Sequence, residues 1–554
     1  MTLNQKEQEL ARIMRDPVLW AEAHLGQKPR WYQEQALRHP HNRIVLRWGR
    51  RTGKCIAEGQ RVANSETGEY KPIEEWFKDQ RVPMISMDDH FKLGKNTSFK
   101  IEENGVKETY TVKTKNGAEV TLTGNHPVLT MDGWKEVDLL KEGEEIATPK
   151  IINAFGKDKV DPLRARVLAY VGATHDINKF NATLTLLNDE TRNQIVENVK
   201  AYGLSVFPKT PSVYFVVDKE DDFLDILTHT EEVIPDEVFR YDRESLAIFL
   251  ASIFDAKGWL FTSKTPEIGY GTKSEKFAKS LSHLLLRFGM QATVSTRQAA
   301  GEPYYHIIMS SKYNMRVFLK EIAVHSIKSY KEIQDKIDTM KESKPTIPKS
   351  IWPYIEERRD EKGLKNWEVT GSKEDKFKRH VGVNEDRALA FSHNLKDEYL
   401  YDLATSDVLW QKVLSITPAG KQMTYDVHMP ENHNLIVEDT LVHNTWTMAS
   451  HMLWAAFTNI GGTQTHGRTV CLVATPYDSQ ARLIFDQLKE FINGNEILSS
   501  SVKSMTKNPY YIQFKNEAEI KLYTAGTKSG GEGASIRGQK ASYLYMDKFC
   551  PLVS

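Results

Sequence analysis

Residues 42–54 read NRIVLRWGRRTGK, an apolar strand at 44–46 running into a basic, glycine-punctuated turn. A phosphate-binding loop of this kind continues Gly-Lys-Ser/Thr and opens a helix. The loop amides and the lysine hold phosphate oxygens while the hydroxyl ligates Mg2+. Here Gly53 and Lys54 are followed by Cys55, whose thiol is a poor ligand for a hard cation. The next residues, IAEGQRVANSETGEY, read as strand and turn with no amphipathic helix. The missing hydroxyl and helix stand after 390 intervening residues, in TWTMASHMLWAAF, where Trp446, Met448, Met452, Leu453 and Ala456 follow Thr445 at helical spacing. Joining Lys54 to Thr445 gives RWGRRTGKTWTMASHMLWAAF: strand, phosphate loop and helix in the order that phosphate binding requires. The chain is therefore a 164-residue sequence, 1–54 with 445–554, interrupted by a 390-residue one.

Composition sets the outer limits. At 554 residues the chain exceeds one ordinary domain and suggests three or four. Its 40% apolar content excludes a disordered or collagen-like polymer. No apolar run reaches the roughly 18 residues of a membrane helix, and the opening MTLNQKEQEL lacks the apolar stretch of a signal peptide. A soluble protein with no membrane partner is expected. Cys55, Cys471 and Cys550 are too few for a disulfide framework in so long a chain, which points to a reducing compartment.

The two ends of the interruption carry reactive residues. Cys55 opens CIAEGQRVANSETGEYKPIEEW, and VTLTGNHPVLTMDGWKEV holds Thr123 and His126 in a Thr-x-x-His pattern. DVLWQKVLSI and YDVHMPENHNLIVEDTLVHN close the segment, ending in His443 and Asn444 with the hydroxyl residue Thr445 next. Breaking a resonance-stabilised peptide bond without a protease requires an internal nucleophile, and a thiol is the best available at neutral pH. Cys55 can attack the Lys54 carbonyl and form a thioester, provided its departing amine gains a proton. The Asn444 side-chain amide can cyclise onto its own carbonyl and cut the chain before Thr445.

These four blocks in this order resemble an intein, a self-splicing insertion, over the whole of 55–444. The resemblance implies an all-β HINT-type splicing domain assembled from 55–150 and 405–444. It assigns proton donation to His126 with support from Thr123, and makes Thr445 the acceptor of the N-terminal segment. His443 and His433 become the polarising and proton-transfer groups of the Asn444 step, and Asp426 a group that positions or activates Thr445. Every step is intramolecular, so positioning replaces an external cofactor and none is expected. EVTLTGNHPVLT and NLIVEDTLV alternate as strands do.

Residues 151–404 mix helical and β patterns. LAIFLASIFDAKGWLF puts Asp255 at the end of an apolar helix, while ARVLAYVGATHDINKFN has Thr174 where an acidic residue would match it. The pair resembles the two motifs of a LAGLIDADG homing endonuclease, an α/β fold that holds Mg2+ between carboxylates of two helices. Losing one carboxylate weakens metal binding and water activation. Asp176, two positions on, falls on another helix face. A degenerate nuclease with little or no double-strand cleavage is expected. Gly172, Ala173, Ala251 and Ser252 are small and suit close helix packing. The acidic run 217–232 would repel DNA from any face that carried it. Residues 323–398 are charged and mostly helical in pattern, an accessory piece against DNA or a linker.

Rejoined, 1–54 and 445–554 resemble the ATPase domain of a phage terminase large subunit, the DNA-packaging motor. WGRRTGKT is an arginine-rich phosphate loop, and RWYQEQALRHP before it is similar to an adenine-contacting segment around Gln33. VCLVATPYDSQARLIFDQL reads as strand then helix, and GASIRGQKASYLYMDK ends in an apolar strand with Asp547 at the Mg2+ position. The resemblance implies a P-loop α/β ATPase domain. After splicing it would bind ATP and Mg2+ through Gln33, Gly49, Arg50, Arg51, Thr52, Gly53, Lys54, Thr445 and Asp547, the last two on the metal. It further implies DNA, other terminase subunits and the portal as partners, and the cytoplasm of a bacterial host cell as the location. Trp48 stands where such a loop has its first glycine. Lys548 replaces the glutamate that would orient the attacking water, so poor ATP hydrolysis is expected. With the sequence ending six residues after Lys548, before any nuclease domain, a truncated or altered host fragment is expected.

Two other functions stay open on the sequence. One is an endonuclease whose splicing blocks are relics, cutting DNA at the uninterrupted host junction. The other is a P-loop motor with a passive insertion, which Cys55 at the hydroxyl position disfavours. Charge separates host from insertion. Lys+Arg and Asp+Glu number 74 each, yet the flanks hold 22 against 13, a net of +9, and the insertion 52 against 61, a net of −9. A basic flank fits work on DNA, and an acidic insertion fits splicing better than tight DNA binding.

Overall fold

A computed structural model of the chain describes residues 11–25, 38, 55–79, 81–98, 100–172, 177, 181–218, 223–227, 232–262, 266–299, 301–342, 345–372, 377, 379–429, 432, 434–443, 447–460, 467–475, 478–493, 495–507, 509–524 and 540–546. The chain divides into two compact units, Cys55–His443 and the residues on either side, Met1–Lys54 with Asn444–Ser554.

In the unit Cys55–His443, nine strands from the two ends of the segment build one sheet: β1 Ile56–Ala57, β2 Lys100–Thr114, β3 Glu119–Thr123, β4 Pro127–Thr130, β5 Gly133–Glu136, β6 Glu145–Pro149, β7 Val408–His428, β8 Asn434–Val437 and β9 Thr440–His443. Their order is β1-β3-β2-β7-β6-β4-β9-β8, with β5 on β4. β1 also pairs with β7, so the shortest strand is held on both sides. Alternation along the strands explains the layering. Val120 and Leu122 of β3 enter a core with Ile56, Val112, Val128, Val413 and Val442, and Thr121 faces Thr111 with hydroxyls 2.9 Å apart. Apart from a short helix at Ile73–Trp76 and a 3-10 turn at Val137–Leu139, these segments are β as their alternation predicts. The β2–β3 hairpin turns on Gly117 (φ 91°), where a Cβ would run into the Val294 carbonyl oxygen.

Between β6 and β7 the chain forms two further cores. The larger lies around helices α1 Pro162–Gly172 and α2 Arg243–Lys257, and includes Leu168, Tyr170, Leu250, Ala251 and Phe254. The two helices pack on each other, and Gly172, Ala251 and Ser252, expected to suit close packing, are buried, while Ala173 lies outside the described residues. α2 starts under an Asp242 cap, whose carboxylate accepts from the Ser245 amide. Antiparallel sheets follow, of three strands at Asn181–Thr185, Val213–Val217 and Ser205–Thr210 and of four between Trp259 and Met309. Helix α3, Glu275–Leu286, is amphipathic, with Phe277, Leu281, Leu284 and Leu285 buried. The smaller core is a helical cluster over 346–404 centred on Trp352, Ile355, Phe391 and Leu400.

The flanking unit is α/β. A strand at Val470–Thr475 is followed by a helix at Asp478–Asn493, and the residues after Thr445 form a helix at Thr447–Thr458. Val470–Thr475 runs parallel to Glu519–Thr524 on one side and Tyr543–Met546 on the other. Val473, Phe485, Ile520 and Leu453 share its core. Among the described residues no helix is long and apolar enough to cross a membrane.

Candidate active site

β1 brings Cys55 between two strands of the sheet. Ile56 lies opposite Leu122 of β3 and Tyr425 of β7, so Cys55 is flanked by Thr123 and Asp426. The Cys55 amide donates to Thr123 Oγ1 at 2.9 Å, and the Thr123 amide donates back to the Cys55 carbonyl at 3.0 Å. The N–H of the Lys54–Cys55 bond is thus tethered to the threonine of the Thr-x-x-His pattern.

The turn 123–126 closes when the His126 amide donates to the Thr123 carbonyl at 2.9 Å, and the His126 carbonyl accepts from Val137 at 3.0 Å. A Cβ at Gly124 would meet the carboxylate of the exposed Asp138, which would have to swing aside. His126 is 3% exposed. Two residues past it, Val128 of β4 pairs with Val442 of β9, one residue before the strand ends at His443. Both termini of the unit therefore arrive at one turn.

The Cys55 sulfur is enclosed: the residue is 0% exposed. Asn104 Nδ2 donates to Sγ at 3.1 Å and Lys107 Nζ at 3.2 Å. Burial pushes the thiol above its ordinary range, the nearby Asp426 carboxylate adds to that, and the Lys107 ammonium pulls it back. Asp426 is itself 4% exposed and lies opposite Glu102 of β2.

The structure brings together Cys55, Thr123, His126 and Asp426, and ends β9 at His443. His433, Asn444 and Thr445 lie outside the described residues, as do Gln33, Gly49, Arg50, Arg51, Thr52, Gly53, Lys54, Asp547 and Lys548 of the flanks. Asn104 and Lys107 belong to none of the sequence blocks. Their only local signal is Gly105 beside them.

Asp255 occupies the last turn of α2, as the motif predicts, but its carboxylate is fully buried. It accepts the Ser326 hydroxyl and the amides of Ile327 at 3.1 Å and Lys328 at 3.2 Å. Burial lifts its pKa above the ordinary aspartate value against those bonds. The side chain fastens 326–328 to α2. Thr174 and Asp176 lie outside the described residues. Among the described residues no group of three or more His, Cys, Asp or Glu could hold a metal ion. The acidic run turns two carboxylates inward. Asp218 accepts the Phe223 amide at 2.9 Å, and Glu232 accepts the Tyr270 hydroxyl at 2.9 Å.

A family model described as the intein splicing domain matches residues 63–444. Among curated proteins, the chain is 25% identical over 442 residues to the replicative DNA helicase DnaB of Synechocystis sp., an alignment covering 71% of this chain and 50% of that protein. It is 24% identical over 443 residues to the protein RecA of Mycobacterium tuberculosis, covering 71% and 56%. The chain thus spans about half the length of the curated relatives it matches. The crystal structure of Ssp DnaB mini-intein variant M86 aligns with 73% of this chain and 98% of its own at 12% identity, with a TM-score of 0.26 that is too low to bear on the fold. With the family model spanning well over half of its length, the chain belongs to the intein splicing domain family, whose reaction is autocatalytic protein splicing.

Proposed function

We propose that residues 55–444 excise themselves and join Lys54 to Thr445, restoring the phosphate loop of a terminase-type ATPase domain. The convergence of Cys55 and of the strand ending at His443 on the turn 123–126 carries this reading. The Cys55 sulfur attacks the Lys54 carbonyl carbon; a C–S bond forms as the C–N bond breaks, and the amine takes a proton from His126 while Thr123 holds it in place. The Thr445 hydroxyl then displaces the sulfur, forming an ester and returning the thiolate. Asn444 Nδ2 attacks its own carbonyl carbon and frees the Thr445 amine, with His443 and His433 moving protons and Asp426 positioning Thr445. The freed amine takes the acyl group from the ester oxygen, since the amide is the more stable product. No cofactor enters these steps.

The compact units part at Lys54/Cys55 and His443/Asn444, within one residue of the cuts that the rejoined phosphate loop selects, which supports the same boundaries. The parallel strands and helices of the flanking unit suit a P-loop ATPase domain that binds ATP and Mg2+ once joined, with DNA, terminase subunits and the portal as partners. The packed α1–α2 pair supports a LAGLIDADG-like insertion, and the engaged Asp255 supports little or no Mg2+-dependent DNA cleavage.

Expressed under reducing conditions, the full chain is expected to yield 390- and 164-residue products by mass. Cys55→Ala combined with Asn444→Ala is expected to abolish both. Persistence of intact wild-type chain alone would overturn the proposal.

A further inference from the structure

Resting on the splicing reading above, we propose that Lys107 and Asn104, on the bulged part of β2, form a two-donor cradle that holds the Cys55 sulfur as thiolate. Lys107 is then a catalytic residue of the first step and of the leaving group in the second.

The cradle exists because of a fault in the strand. Along a regular strand, residues three apart project to opposite faces, so Asn104 and Lys107 would part. In the β2–β7 ladder Glu103 faces Tyr425 and Val106 faces Met423, leaving Asn104 and Gly105 opposite the single residue Thr424. The extra residue reverses the parity beyond it, with Gly105 at φ 74° taking the left-handed backbone. Both side chains then reach the same sulfur, at 3.1 Å and 3.2 Å.

A buried thiolate is costly without a paired cation, and Asp426 worsens the local charge. The Lys107 ammonium opposes both and is the cation beside the sulfur, though the thiol still stays above its ordinary range. When the thiol proton leaves to water, the anion forms beside Lys107. When the C–S bond forms and the amine of Cys55 takes up a proton, that charge is spent. When Thr445 displaces the sulfur, the returning thiolate meets the same ammonium.

The test uses the full chain carrying Asn444→Ala and Thr445→Ala, so that only the thioester accumulates. Dithiothreitol-dependent release of the 54-residue N-terminal fragment is followed from about pH 6 to about pH 9. Lys107→Met is expected to slow release about tenfold or more at neutral pH and to move its rise to higher pH. Lys107→Arg should recover most of the rate, and Asn104→Ala should shift the profile the same way by less. A Lys107→Met profile identical to the parent overturns the proposal. So does an equal loss of C-terminal cleavage when Lys107→Met is placed in a Cys55→Ala chain, because that marks a role in the fold. A parent that releases no fragment overturns the splicing reading itself, and this one with it.

Discussion

Two buried cysteines show how environment divides one residue type. Neither Cys55 nor Cys471 is in a disulfide. Cys471 sits in the core of the flanking unit, where burial lifts its thiol to about 12, so it stays a small apolar residue. Cys55 is as enclosed but meets two N–H donors. The Asp426 carboxylate raises the Cys55 pKa, so Asp426→Asn removes a negative charge and lowers it. In the Asn444→Ala, Thr445→Ala chain, dithiothreitol-dependent release should then begin at lower pH with Asp426→Asn, whereas in the otherwise unaltered chain the same substitution slows splicing through loss of the proposed Thr445 positioning. A profile unmoved or shifted upward contradicts that assignment. The proposed roles of Cys55, Thr123, His126 and Asp426 rest on local sequence patterns, the blocks on which the splicing resemblance stands. Lys107 was not legible in this way, because only the bulge gives it a face. Asp255 was legible as a helix position, but its engagement with 326–328 depends on a return of the chain 71 residues later.

At the level of elements, helix α3 of the inserted part grips the splicing sheet. Arg61, on the strand Arg61–Ala63, pairs with Glu438 at 3.1 Å and donates to Ser280 of α3 at 2.8 Å. Tyr70 donates to Glu438 at 3.0 Å and stacks on His283 of α3, centroids 3.7 Å apart. His283 in turn bonds Asp439 at 2.8 Å. Glu438 and Asp439, at φ 43° and 55°, are the two-residue turn joining β8 to β9, which leads directly to His443. Both side chains of the Arg61–Glu438 pair are 10% exposed, so removing one partner leaves an uncompensated charge. Arg61→Met is therefore expected to destabilise the unit by about 3–5 kcal/mol. Guanidinium unfolding of the Cys55→Ala, Asn444→Ala chain checks it through a lowered midpoint, and an unchanged midpoint would show that the pair does not hold the turn. Sequence alternation gave the strands on either side, but this turn lacks the Asn-Gly or Asp-Gly signal, and its partners lie more than 150 residues away.

At the level of the whole molecule, neutrality conceals a segregation of +9 in the flanks from −9 in the insertion. Splicing should therefore convert one neutral chain into two of opposite charge. The 164-residue product is expected to bind a cation exchanger at neutral pH while the 390-residue product passes through; co-elution would show that surface charge does not follow the sequence count. The sequence by itself determined the alternation of the sheet and singled out the proposed cut points, nucleophile and cyclising asparagine. Covalent order and local periodicity carry these, and both are written in neighbouring residues. Tertiary structure alone decided what surrounds them: the tether between Cys55 and Thr123, the bulge that turns Lys107 onto the sulfur, the seal on Asp255 and the grip of α3 on the turn before His443. Each of these joins residues between 49 and 377 positions apart, and at such separations only the packing of the folded chain, not its local pattern, determines which groups meet.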